Sequence, residues 1–197
     1  MRTPTIATLV IALTFPPAFL GGKSVKNTSL LGADEVAIYR AVLRDYASNP
    51  SEQLNVSVRT FPLGPSHRGL SDDECLKGIQ LENLSIASSS FHNLPPEVLV
   101  RKGMRLVDQN QQAKTVHAND PSKTIGEGKS VDKAVRDAFA TGLFSMSEIA
   151  FDKEHRHAVV SYSFRCGSLC GHGAMLIFEK IGNEWKKTDR HCGSWIS

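Results

Sequence analysis

Ala158-Val159-Val160-Ser161-Tyr162-Ser163-Phe164-Arg165-Cys166-Gly167-Ser168-Leu169-Cys170-Gly171-His172-Gly173-Ala174 is the stretch whose reading decides the fold. Ala158, Val160, Tyr162 and Phe164 occupy alternate positions, the two-residue period of a strand with one face against a core. A glycine-rich turn bracketed by two cysteines follows, and Ala174 to Ile181 reads as the return strand. Gly182-Asn183 suits a tight hairpin because both residues tolerate positive φ. Trp185 to Asp189 is then the next strand, and Ser194 to Ser197 offers another. Upstream, Ile149 and Phe151 alternate before a polar turn at Asp152 to Arg156. The expectation is an antiparallel β-meander at the C-terminus.

Working outward, two helices stand out. From Asp34 to Ala47 the apolar residues Val36, Tyr39, Val42, Leu43 and Tyr46 recur three and four apart, with Glu35, Arg40, Arg44 and Asp45 off that stripe. Asn49-Pro50 ends the segment, since proline disfavours helical geometry in the residue before it. A second helix starts at Ser130, an N-cap residue type. It gathers Val131, Ala134, Val135, Ala138 and Phe139 on one side, with Gly142 as its terminal cap. Between the helices, Leu54, Val56 and Val58 alternate as a half-buried strand that Pro62 stops. Phe61 to Asn93 is rich in Gly, Pro and Ser, with a short element expected within Glu74 to Leu84. Leu94-Pro95-Pro96-Glu97 reads as a helix start, and polar Gln109 to Lys129 as loop. The fold class expected is α+β, with two or three helices on one face of the meander.

Ile6 to Phe15 is an uncharged apolar run after Arg2, closed by Pro16-Pro17. A basic start and a short apolar segment read as a secretory signal over residues 1–22, and about ten residues are too few for a membrane span. Residues 23–197 then form one α+β domain, long enough to bury a core of its own. The 23 Lys and Arg, less Arg2, nearly balance 20 Asp and Glu. That mixture gives no electrostatic case for nucleic acid.

Cys75, Cys166, Cys170 and Cys192 all follow the signal segment, and an even cysteine count in an exported chain favours disulfides. Four cysteines allow three pairings. Joining Cys166 to Cys170 closes a short loop, and Cys75 to Cys192 ties the middle of the chain to its end; the others stay open. Three chemistries compete with a plain disulfide-closed hairpin. Cys166, Cys170, His172 and Cys192 or His191 are ligand types that zinc uses, but their spacing lacks a second matched pair. Cys170 with His172 or His191 supplies a nucleophile and a base only if the thiol is free. Gly167, Ser168, Gly171, His172 and Gly173 form a candidate ligand loop whose backbone N–H groups could receive an anion.

Weaker motifs carry less. Gly126-Glu127-Gly128-Lys129-Ser130 opens a helix, but a phosphate-binding loop needs glycine where Lys123 stands. Glu154-His155-Arg156-His157 fits a solvated hairpin tip. Asp72-Asp73-Glu74 has too few oxygen ligands in register for calcium. Sequons occur at Asn27, Asn55 and Asn83. Trp185 and Trp195 read as core.

The flanks of the cysteine loop, with Glu184-Trp185-Lys186 and the terminal Trp195-Ile196-Ser197, carry a kinship. Residues 145–197 resemble a group of uncharacterised exported bacterial proteins in which a Cys-Gly-x-x-Cys-Gly-x-Gly loop joins two strands and the chain ends Trp-x-Ser. The resemblance implies export and no particular activity. Cys75 and Cys192 depart from its simplest pattern. The expected role is a secreted or periplasmic, disulfide-stabilised binding or structural domain without catalytic residues, metal or cofactor, its partner a cell-envelope component or a protein. The competing class is a small hydrolase or metal-dependent enzyme built on the Cys/His loop.

Overall fold

The computed structural model describes residues 30–47, 53–64, 75–190 and 192–197. The signal segment 1–22, Asn27, the Asn49-Pro50 break, the Asp72-Asp73-Glu74 cluster and His191 lie outside the described residues. Helix α1 spans Ala33–Tyr46, with Asp34 and Glu35 in its first turn and Arg44 in its last, each sign matched to the helix dipole. It buries Ile38, Tyr39, Val42 and Leu43.

The strands are β1 (Leu54–Ser57), β2 (Met104–Val107), β3 (Leu143–Met146), β4 (Ala150–Phe151), β5 (His157–Gly167), β6 (Cys170–Ile181), β7 (Glu184–Lys187) and β8 (Ser194–Ile196). They form a mixed sheet in the order β2-β1-β3-β5-β6-β7, with β4 added to β5 and β8 to β6. The α+β class stands, and the expected C-terminal antiparallel meander is only part of a larger mixed sheet. β1 lies between β2 and β3 and runs parallel to both, so the sheet draws on the whole chain. Parallel neighbours need long crossovers, and the segment between β2 and β3 supplies one with α3 (Gln109–Ala118), α4 (Pro121–Gly126) and α5 (Val131–Thr141). The pairs β3–β5, β5–β6 and β6–β7 are antiparallel. Gly182 takes φ of +63° in the β6–β7 turn.

Two of those crossover helices occupy the stretch expected to be loop. α3 is mostly polar, with only Val116 as a larger apolar residue, so no apolar stripe marks it; its start is fixed by Asp108, whose side chain accepts from the Asn110 and Gln111 N–H groups at 2.9 Å. Asp120 caps α4 in the same way, with Pro121 in the first turn. The Pro95-Pro96 segment yields only a single 3-10 turn, Pro96–Val98.

Side chains alternate across the sheet into two clusters, so both faces are covered, where helices on one face were expected. Ala158, Val160, Phe164 and Phe178 join α1 in the larger cluster. Val159, Met175 and Ile177 point the other way, against Leu63, Cys75, Ile79 and Ala87, the last from the short helix α2 (Leu84–Ala87). Covering by loop rather than regular structure explains why that second layer has no sequence period. All four residues of β1 are buried, because a central strand has no solvent face.

Candidate functional site

Cys166 and Cys170 bond across the β5–β6 hairpin, and Cys75 bonds Cys192 over 117 residues, leaving no free cysteine. A thiolate nucleophile or cysteine metal ligand is therefore not offered by this structure. Among the described residues no group of three His, Cys, Asp or Glu side chains could hold a metal ion, and no helix is long and apolar enough to cross a membrane.

The ligand-loop residues are brought together, but their groups already have partners within the chain. Ser168 N–H donates to Asp120 Oδ2 at 2.7 Å, and a Cβ on Gly167 would sit 3.3 Å from the Asp120 carboxylate carbon. The hairpin tip thus carries an internal anion where an external one was envisaged. Burial acts to raise the Asp120 carboxyl, but hydrogen bonds from Ser168, Ser122 and Lys123 outweigh it and hold the group below the ordinary aspartate value. Gly171 and Gly173 face Trp195: a Cβ on Gly173 would lie 2.8 Å from its Cε2, and one on Gly171 2.9 Å from the Phe164 carbonyl oxygen. The terminal strand β8 pairs with this part of β6, matching His172 to Ile196 and Gly173 to Trp195. The glycines and the Trp-x-Ser end are parts of one packing arrangement.

His172 points to the opposite face, into a group of rings. It stacks on Tyr46 with centroids 5.6 Å apart and planes 20° apart, and lies 5.5 Å from Phe164 and 6.1 Å from Tyr162. Burial pushes its imidazole below the ordinary histidine value.

Beside these rings opens a cleft of about 690 Å³, lined by Tyr46, Gln53, Leu54, Val135, Arg136, Phe139, Ala140 and Phe164. Phe164 lies between its walls, 6.1 Å from Tyr46 of α1 and 5.6 Å from Phe139 of α5. The cleft exists because α5 is rolled about its axis. Ala134 and Ala138 are fully buried, whereas Val131, Val135 and Phe139 are 59, 40 and 51 % exposed. Small residues four apart let the helix approach the sheet closely, and its large apolar residues are left over the cleft. Asn55 fixes that position, donating to the carbonyls of Ala140 and Gly142 at 3.2 and 2.9 Å while accepting from Arg105 Nε at 2.7 Å.

Val135 and Phe139 read as core in the sequence, and Gln53 and Arg136 carry no motif. The signal available was the pairing of alanines with bulkier residues inside one broad apolar arc. Two buried carboxylates elsewhere hold histidines. Glu148 contacts His92 Nδ1 at 2.7 Å and accepts from Thr60. Asp152 contacts His157 Nδ1 at 2.7 Å and accepts from the Arg156 and His157 N–H groups, which makes it the brace of the expected hairpin tip. Asn83 accepts from Phe151 N–H at 2.7 Å and Asn55 is buried, so both of these sequon side chains serve the fold.

No protein family, curated protein or solved structure matches the chain.

Proposed function

We propose that the protein is a non-enzymatic binding domain acting outside the reducing cytosol, and that its binding element is the aromatic cleft between α1 and α5. The roll of α5 carries this reading: it leaves Val135 and Phe139 over the cleft at 40 and 51 % exposure while two alanines take the core positions. A largely apolar recess of this volume, ringed by Tyr46, Phe139 and Phe164, suits an apolar small molecule or a comparably sized part of a cell-envelope component. The two disulfides support an oxidising compartment, secreted or periplasmic. The Cys166–Cys170 bond also holds the scaffold beneath the cleft, since Cys166 belongs to the same core cluster as Phe164.

Titration with the neutral fluorophore N-phenylnaphthylamine tests the reading. The expected result is a saturable, single-site fluorescence rise that A140F, which fills the cleft from an exposed helix position, abolishes while circular dichroism is retained. An absence of saturable binding, or equal binding in A140F, overturns it in favour of a purely structural domain.

A further inference from the structure

Among the described residues the cleft has one charged lining residue, and we infer that its ligand is a ring-bearing monoanion: a planar apolar body lodged against Tyr46, Phe139 and Phe164, with its acid group on the Arg136 guanidinium. This rests on the cleft being the binding element, and adds the chemical class of what it holds.

Three lysines of the described residues are paired with aspartates: Lys129 with Asp137, Lys180 with Asp34 and Lys187 with Asp45. Arg136 makes no hydrogen bond or ion pair among the described residues, although Asp132 stands one turn before it on α5. Its planar fork of donors therefore remains available on the wall of an apolar recess, where a carboxylate can be met by two parallel N–H bonds. Gln53, the other polar lining residue, is neutral and can donate or accept. Among the described residues no carboxylate lines the cleft, so a cationic ligand would find no counter-ion there and would be repelled by Arg136.

Phe164, 3 % exposed, forms the floor, with Tyr46 and Phe139 at centroid distances of 6.1 and 5.6 Å from it and the Phe139 and Phe164 planes tilted by 37°. Rings so placed present faces and edges to an inserted planar ring, the arrangement aromatic pairs favour. An aliphatic chain would gain the apolar burial without that directional part.

Isothermal titration of the purified, oxidised protein with naphthoate, naphthylmethanol, naphthylmethylammonium and laurate decides the matter. Naphthoate is expected to bind one to one, at least tenfold tighter than naphthylmethanol and tighter than laurate, with the ammonium weakest. The preference should shrink as salt rises, and in R136Q the naphthoate and naphthylmethanol affinities should converge. Equal affinities for naphthoate and naphthylmethanol, or a preference that survives R136Q, overturn the anionic assignment and leave the cleft reading standing. Tighter binding of laurate overturns the ring assignment alone. If no compound binds, the cleft reading itself falls.

Discussion

The indole of Trp195 lies directly on the backbone of Gly173, close enough that a Cβ there would come within 2.8 Å of the ring. The contact joins the last strand to β6 on the face opposite His172. Because Tyr162 backbone flanks the same position, the added methyl has no flexible neighbour to displace. G173A is expected to destabilise the protein by about 1 to 3 kcal/mol, and the double variant G173A/W195A should cost less than the two single changes summed. Chemical denaturation of the four proteins of that cycle measures the coupling; strict additivity would separate the residues.

The two disulfides should differ in worth. Cys75–Cys192 closes a loop of 117 residues and Cys166–Cys170 one of four, which the chain-entropy relation converts to roughly 5 and 2 kcal/mol. The longer bond also clamps the loop layer that covers the second face of the sheet. C75S/C192S is expected to lower Tm by roughly 10 to 20 °C, and C166S/C170S by less than half as much. Calorimetry of the two double variants checks the order.

Asp120 ties the hairpin tip to α4 and should leave a mark on acid stability. Its carboxyl titrates below the ordinary value despite burial, because Ser168 and Ser122 donate to the charged form. A carboxyl depressed in the folded state stabilises fully above its unfolded value near 3.9, and that contribution is lost as pH falls through the lower folded value. D120N is expected to be less stable than the parent at neutral pH, with the difference closing as pH drops below about 4. Urea midpoints across that range measure it, and a gap independent of pH would contradict the charge-based account.

What could be read in the sequence followed periodicity. α1, β5, β6 and the Gly182 turn each carry a local pattern, so their places were legible. β1 as a central parallel strand was not, because pairing with β2 and β3 is set by crossovers that no local pattern encodes. α3 was hidden by its polarity; a helix started by an aspartate cap and buried mainly through Gln112 has no stripe to detect. The cysteine loop drew attention to Gly167, Ser168 and His172, yet the chemistry of that loop is consumed by Asp120, Trp195 and Tyr46. The cleft went unread because its residues come from α1, β1, α5 and β5, each unremarkable alone.

His172 should behave as a destabilising group in acid. Packed against Tyr46, Tyr162 and Phe164, its ring loses hydration in the charged form, and its titration is lowered by that burial. The unfolded chain, with histidine near 6.5, therefore binds the proton first, and stability falls as pH drops from about 6.5 through the folded value. Proton NMR of the imidazole is expected to give a midpoint below 6.5, and H172N should flatten the stability profile over the same interval. A midpoint at or above 6.5 would contradict desolvation as the governing influence.

The roll of α5 makes the sharpest mutational contrast, because neighbouring residues in one apolar arc should respond oppositely. Ala138 is fully buried and Phe139 is half exposed, although helical periodicity alone places both toward the core. Enlarging the first, as A138L, forces α5 away from the sheet and is expected to cost about 1 to 3 kcal/mol. Truncating the second, as F139S, removes no core contact beyond the Phe164 edge and is expected to stay within about 0.5 to 1 kcal/mol, while weakening N-phenylnaphthylamine binding. A helix packed through Phe139 would invert that order, with F139S costing about 3 kcal/mol or more as core phenylalanine truncations do. Thermal denaturation of the two variants with dye titration alongside separates the arrangements: only a rolled helix loses ligand in the variant that keeps its stability.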